Sequence, residues 1–402
     1  MDKSKIYVGS LNSLDTVRQG EQLVDTIELV EITLREEVVF DARLTLSQKA
    51  QLAKALDDLG VPTLQLHAQG CKEVISACRD AGVRARMEVE CRPYHPYGYA
   101  NWKEEIRVAV GSGADLVHPS ITTPRKWILG EPAMSVEGIK QRALDAVKLA
   151  FDLGAPKVTL GFTDAPRTDL GFLIETGRMA GEAGASTLVL NDTVGVAKPS
   201  LMRFLVQKVT RETGVKVRVH CHNDFGLGTA NTLAALDAGA GGAEVAVNGS
   251  DPARSGIAPL AEIVMALMCL YEKDLGYATE KLTEVSRLFS KCTGMPIDEQ
   301  KPIVADRNWM YKRDHIMRTI VLDESIQFPY SPGLIGQSFQ IDLGRGVGAV
   351  GVGTKLRQLG LDVPEAMVAR LVDQVNEAAV EKKRRLTDAE FRALAEQLRR
   401  SL

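Results

Sequence analysis

The chain has 402 residues, with 49 Lys and Arg against 52 Asp and Glu, a formal charge of −3. Apolar residues at 45% and charged residues at 25% exclude a disordered chain, and the charge balance excludes a non-specific nucleic-acid binder, which needs a basic surplus. The length suits one large barrel plus an accessory piece.

Met1 to Asp15 lacks the basic and apolar runs of a secretory signal. The longest apolar run, Ile263 to Tyr271, is too short to span a bilayer. Six cysteines form no CxxC pair and no regular framework, so a reduced, cytoplasmic protein with neither membrane nor nucleic-acid partners is expected.

After an N-terminal extension over 1–26, β-rich runs alternate with helical stretches. The expected strands are Ile27 to Leu34, Thr63 to His67, Arg84 to Cys91, Leu116 to Ser120, Lys157 to Phe162, Thr187 to Leu190, Lys216 to Cys221 and Ala243 to Asn248. Expected helices include Leu46 to Leu59, Val136 to Leu153, Leu170 to Ala183, Leu201 to Thr213 and Thr229 to Ala238, several followed by a terminating glycine such as Gly60 or Gly214. Eight strand and helix pairs match an α/β (β/α)8 TIM barrel over 27–275, with a doubly wound open sheet as the alternative. The remainder, 276–402, reads as a mostly helical accessory region. There Thr387 and Glu390 form a capping box, and the charged run Glu381 to Arg385 reads as a solvated helix face. The Gly-rich stretch Gly344 to Gly353 lacks the Lys-Ser/Thr of a phosphate loop.

Candidate chemistry gathers at two strand ends. His220 and His222 stand at i and i+2 on the seventh strand, so both imidazoles can face one metal. The first strand stops in Arg35-Glu36, and Glu36 could complete a two-His-one-carboxylate set while Arg35 stabilises charge on a bound carbonyl. The competing readings are satisfied polar histidines and an ordinary ion pair.

These residues carry a resemblance. Thr33-Leu34-Arg35-Glu36, Asp164-Ala165-Pro166-Arg167-Thr168-Asp169, Asn191-Asp192-Thr193-Val194-Gly195 and Val219-His220-Cys221-His222-Asn223-Asp224-Phe225-Gly226 resemble the ordered signatures of the DRE-TIM metallolyase superfamily. Lys301-Pro302-Ile303-Val304 and Leu343-Gly344-Arg345-Gly346-Val347-Gly348 extend the likeness towards the C-terminus. Within the superfamily the chain most resembles homocitrate synthases and their isopropylmalate synthase relatives. The resemblance implies a metal-dependent acyltransferase that condenses acetyl-CoA with a 2-oxo acid and then hydrolyses the thioester. It implies a divalent metal (Zn, Mn, Mg or Co) on Glu36, His220 and His222, Arg35 against the 2-oxo group, Thr193 holding the substrate carboxylate, and a homodimer. Arg167 or Arg254 would help meet anionic charge.

The sequence also departs from the family pattern. Glu37-Val38-Val39 replaces Gly-Glu-Gln, and Gln65 stands where a glutamate is usual, with His67 in place of a small residue. Thr163 replaces a glutamate that assists the catalytic histidine, and Thr159 replaces an arginine. Asp251-Pro252-Ala253-Arg254-Ser255-Gly256 replaces Gly-Glu-Arg-x-Gly, with Ile257 at the asparagine position, as in homocitrate synthases. Val39, Gln65, His67, Thr159 and Thr163 are therefore expected to reshape the acceptor pocket, favouring a 2-oxo acid other than 2-oxoglutarate. His315 is the expected acid/base residue, supplied within the subunit or across a dimer interface, and Tyr311 is its fallback. The aromatic segment Arg92 to Trp102 is expected as a loop over the site. Alternatives are a carbon-carbon lyase or aldolase on the same barrel, or a non-catalytic metabolite-binding homologue.

Overall fold

The computed structural model describes residues 2–36, 44–92, 101–123, 135–251 and 254–400, and of Glu36 the backbone alone. Their contacts separate two units, 10–297 and 2–9 with 298–400.

The first unit is a closed, all-parallel barrel in the order β1 to β8. Its strands are β1 Glu28–Glu31, β2 Thr63–His67, β3 Arg86–Cys91, β4 Leu116–Thr122, β5 Thr159–Thr163, β6 Thr187–Asp192, β7 Lys216–Cys221 and β8 Gly242–Val245. Closure joins β8 to β1 from Glu28↔Gly242 to Glu31↔Val245. A Cβ on Gly242 would overlap the Glu28 carbonyl oxygen, so a glycine belongs at this seam.

Among the described residues, ten α-helices belong to this unit: α1 Thr33–Glu36, α2 Leu46–Leu59, α3 Cys71–Asp80, α4 Trp102–Gly111, α5 Val136–Asp152, α6 Leu170–Glu182, α7 Pro199–Thr213, α8 Gly228–Asp237, α9 Leu260–Leu270 and α10 Leu282–Thr293. Helix α2 shows how local sequence sets these limits. Thr45 and Gln48 form a reciprocal capping box at its start, Gly60 closes it at φ 102°, and Leu52, Ala53, Leu56 and Leu59 are buried.

Two strands stop earlier than expected. β1 ends at Glu31 because the Glu31 carboxylate accepts the Thr33 N–H at 3.1 Å, and the chain turns into α1. β8 ends at Val245, and Asn248 sits at φ 57° in the left-handed region.

The barrel interior is ionic. Gln65, Glu88, Glu90, His118, Arg218, His220 and Glu244 are all buried. Arg218 lies 2.9 Å from Glu88 and 3.0 Å from Glu244, spanning β7, β3 and β8. Because strand side chains alternate, the interleaved Leu64, Leu66, Met87, Val89, Val219 and Ala243 face the helices. Charges in such an interior persist only when paired.

The second unit holds α11 Asp314–Leu322, α12 Ala349–Gln358, α13 Glu365–Lys382 and α14 Asp388–Arg400. A two-residue parallel pair, β9 Met310–Tyr311 and β10 Gln340–Ile341, adds strand content to a region expected as helical. Leu343, Val347, Val352, Leu371, Val375 and Phe391 lie in its core. The expected capping box is present: Thr387 N–H donates to Glu390 at 2.8 Å and Glu390 N–H to the Thr387 hydroxyl at 3.3 Å. The Gly-rich stretch is structural. Asp314 accepts the Val350 N–H at 3.1 Å at the start of α12, and a side chain at position 348 would collide with that carboxylate. The charged run is not one solvated helix face: α13 ends at Lys382, and Lys383 takes a left-handed φ of 52°.

Candidate active site

The C-terminal ends of the strands bring the expected histidines together. His220 closes β7 with Cys221, His222 follows, and the two rings lie 4.9 Å apart by centroid. Asp251, beyond β8, completes a group whose ligand atoms all lie within 4.8 Å of one another. Sequence reading passed over Asp251 because it lies in a turn that had lost its family pattern.

These donors suit a divalent cation. His220 Nδ1 lies 2.9 Å from Glu244 Oε2, which orients the ring and leaves Nε2 as the free donor. Burial, with the charges of His220, Arg254 and Arg35, pushes His222 down to about 2, so its imidazole is neutral at pH 7. Arg254 Nη2 donates to His222 Nδ1 at 3.2 Å. A guanidinium cannot accept, so this bond holds the tautomer with its proton on Nε2, and ligation through either nitrogen must release it. Two imidazoles and one carboxylate form a borderline-hard donor set. Glu36, expected in this set, closes α1, and its side chain lies outside the described residues.

Arg35 belongs to the same mouth. Buried on α1, it donates to Gln65 Oε1 at 2.5 Å and to Glu244 Oε2 at 3.3 Å, so one carboxylate holds both Arg35 and His220. Gln65 links the interior: its amide donates to Glu88 at 2.8 Å and to Glu244 at 3.2 Å. Burial opposes ionisation of Glu244, but Arg218, His220 and Arg35 overturn this and hold its carboxyl well below the usual range. Glu90 is similar, with Arg92, Arg35 and His67 prevailing over burial. His67 ends β2, half-buried, with Nδ1 3.8 Å from Glu90. Glu244 was legible as an isolated charge in an apolar strand, and it too was missed.

A second chain of contacts crosses β5, β6 and the turn after β8. Asp164 N–H donates to the Thr193 hydroxyl at 2.8 Å, and Arg254 donates to the Thr193 carbonyl at 2.7 Å. The Thr193 oxygen is thus an acceptor, which leaves its hydrogen to donate. Arg167 is paired with Asp164, and Arg254 with Asp224. Thr163 ends β5 at this mouth, and its carbonyl accepts from Thr123. Thr159 does not lie there. It opens β5 beside Thr187, at the opposite end of the barrel, about 13 Å from Thr163 at the usual strand rise. Its Oγ1 is buried without a partner. The reason is directional: in a parallel barrel only the last residues of each strand reach the C-terminal face.

His315 and Tyr311 lie in the second unit. His315 is exposed in the first turn of α11, whereas Tyr311 is half-buried, its ring 5.7 Å from Phe328 and 6.4 Å from Phe339. Val39, and the expected loop from 93 to 100, lie outside the described residues.

The family model described as HMGL-like matches residues 26–289. A Methanopyrus kandleri protein provisionally named an (R)-citramalate synthase is 34% identical over 376 residues, covering 92% of this chain and 72% of that one. A homocitrate synthase of Methanothermobacter thermautotrophicus is 32% identical over 359 residues, covering 87% and 88%. Hydroxymethylglutaryl-CoA lyase from Pseudomonas aeruginosa has a similar fold, with a TM-score of 0.58 at 17% identity, covering 69% of this chain and 97% of that one. Among the described residues no helix is long and apolar enough to cross a membrane.

Proposed function

The chain belongs to the HMGL-like family, and we propose that it condenses acetyl-CoA with a 2-oxo acid and hydrolyses the thioester, releasing CoA and a 2-hydroxy-2-alkyl dicarboxylate or citrate-type product. The observation that carries this reading is the convergence of His220, His222 and Asp251 with Arg35 at one barrel mouth. Relatives named for citramalate and homocitrate synthesis support the reaction class.

A divalent cation held by His220, His222 and Asp251, with Glu36 as a further ligand, would supply Lewis acidity towards the 2-oxo group. Arg35, fixed by Gln65 and Glu244, neutralises charge on the ketone oxygen as it becomes an alkoxide. Thr193 donates its hydroxyl hydrogen to the substrate carboxylate, with Arg167, Gln65, His67 and Thr163 shaping the surroundings. His315, from the same subunit or its partner in a homodimer, takes a methyl proton from the acetyl group. The enolate carbon so formed adds to the ketone, the resulting alkoxide takes back the proton held by His315, and water cleaves the thioester to a carboxylate and the CoA thiol.

The test is thiol release from acetyl-CoA with pyruvate, 2-oxoisovalerate or 2-oxoglutarate, each with Mn2+, Mg2+, Zn2+ or Co2+. Release with one acceptor, lost in His220→Ala and Arg35→Ala, is expected. No release with any combination overturns the reading.

A further inference from the structure

The second unit carries an open cleft of about 810 Å3 with a largely exposed lining, within the roughly 300–1,000 Å3 usual for small-molecule sites. Six basic side chains line it, against two carboxylates, in a chain whose net charge is −3. We propose that this cavity binds a small metabolite bearing two or more anionic groups, phosphate or carboxylate. Its lining shares no residue with the group His220, His222 and Asp251, and the proposal does not depend on the reaction proposed above.

The cations fall into two sets. Arg307 and Lys312 each lie 3.3 Å from Asp342, and Arg384 grips Glu390 through two bonds of 2.9 and 2.7 Å. These three build the wall. The backbone bond from Leu386 N–H to the Leu343 carbonyl, 3.1 Å, ties its two sides together, and the capping box of Thr387 with Glu390 fixes one of them. Arg345, Lys383 and Arg385 form the second set, and none of them pairs with a carboxylate among the described residues. The Arg385 guanidinium donates to the Met310 sulfur, at 2.9 Å, and to no carboxylate among the described residues.

Three uncommitted cations around one cavity repel one another, and an anion relieves that repulsion. Two of them are guanidinium forks, which match phosphate or carboxylate oxygens in pairs. The cavity assembles from segments about 80 positions apart, which is why the run at 381–385 reads as plain surface in the sequence.

The test is calorimetric titration of inorganic pyrophosphate and, separately, citrate into the full chain at constant ionic strength, with sulfate as the reference. Binding of either, tighter than sulfate, is expected, and the stronger arm assigns phosphate or polycarboxylate chemistry. The triple variant Arg345→Gln, Lys383→Gln, Arg385→Gln should weaken it about tenfold or more, as lost charge-assisted bonds do. The single exposed change Arg345→Gln should weaken it less, and serves should the triple variant fail to fold. His220→Ala should leave it unchanged, which separates this cavity from chelation at the barrel mouth. Binding no tighter than sulfate, or a folded triple or single variant that binds as tightly as the unaltered chain, overturns the proposal. So does loss of binding in His220→Ala.

Discussion

His220 Nδ1 and Glu244 Oε2 lie 2.9 Å apart, and the same carboxylate oxygen accepts from Arg35 at 3.3 Å. Glu244 therefore sets the angle of a candidate metal ligand and the place of the candidate electrophilic arginine together. Glu244→Gln retains the shape but removes the charge that both groups face. Metal affinity, read by titration of Zn2+ or Mn2+, should fall by about 10- to 100-fold, as it does when a carboxylate behind a ligating histidine is lost. An unchanged affinity would show that His220 needs no such support.

Arg254 competes with a cation for His222. Its bond to Nδ1 must open when the ring ligates, and its positive charge lies beside the incoming ion. Arg254→Gln is expected to tighten metal binding roughly fivefold, the factor corresponding to about 1 kcal/mol. Weaker binding in calorimetry would mean that Arg254 orients the ring for the metal.

Gln65 stands where three buried acids, Glu88, Glu90 and Glu244, already share the interior with Arg35 and Arg218. A glutamate there would turn two donated bonds, at 2.8 and 3.2 Å, into like-charge contacts. Gln65→Glu should destabilise the fold by about 3 kcal/mol at pH 8, in the range for an uncompensated buried charge. Urea denaturation would measure it, and a loss under about 1 kcal/mol would count against the charge argument.

Glu31 supplies a pH-dependent term. Burial pushes its carboxyl up to about 7, against hydrogen bonds from Thr33 and Val247. The folded state therefore holds this proton more tightly than the unfolded chain, so stability falls as pH rises from about 4.5 to about 7 and stays level above. The loss is at most about 3 kcal/mol. Glu31→Gln removes the titration, at a constant cost of lost acceptors. Its stability relative to the unaltered chain should rise between pH 5 and pH 8, and a difference independent of pH would show that Glu31 ionises normally.

Much of the barrel could be read from local pattern, since alternation and helix-length spacing report burial directly. Thr63–His67, Lys216–Cys221 and Leu46–Leu59 coincide with the expected spans. The pairing of His220 with His222 was equally local, because residues two apart on a strand share a face. The ends of β1 and β8 were less legible. They depend on the hydrogen bond from Thr33 N–H to Glu31 and on the left-handed Asn248, which periodicity does not register.

By itself the sequence determined that eight strands alternate with helices, that imidazoles end the seventh strand, and that a basic and an acidic residue follow the first. Only the tertiary structure decided that Asp251 joins those imidazoles, that Thr159 lies at the opposite end of the barrel, and that Glu244 serves Arg35 and His220 at once. It also decided that Arg307, Arg345 and Arg385 border one cavity. The physical reason is range. Periodicity records which side of an element is buried, whereas barrel closure and helix packing choose which distant side chains share one volume of low dielectric, where their charges must be matched.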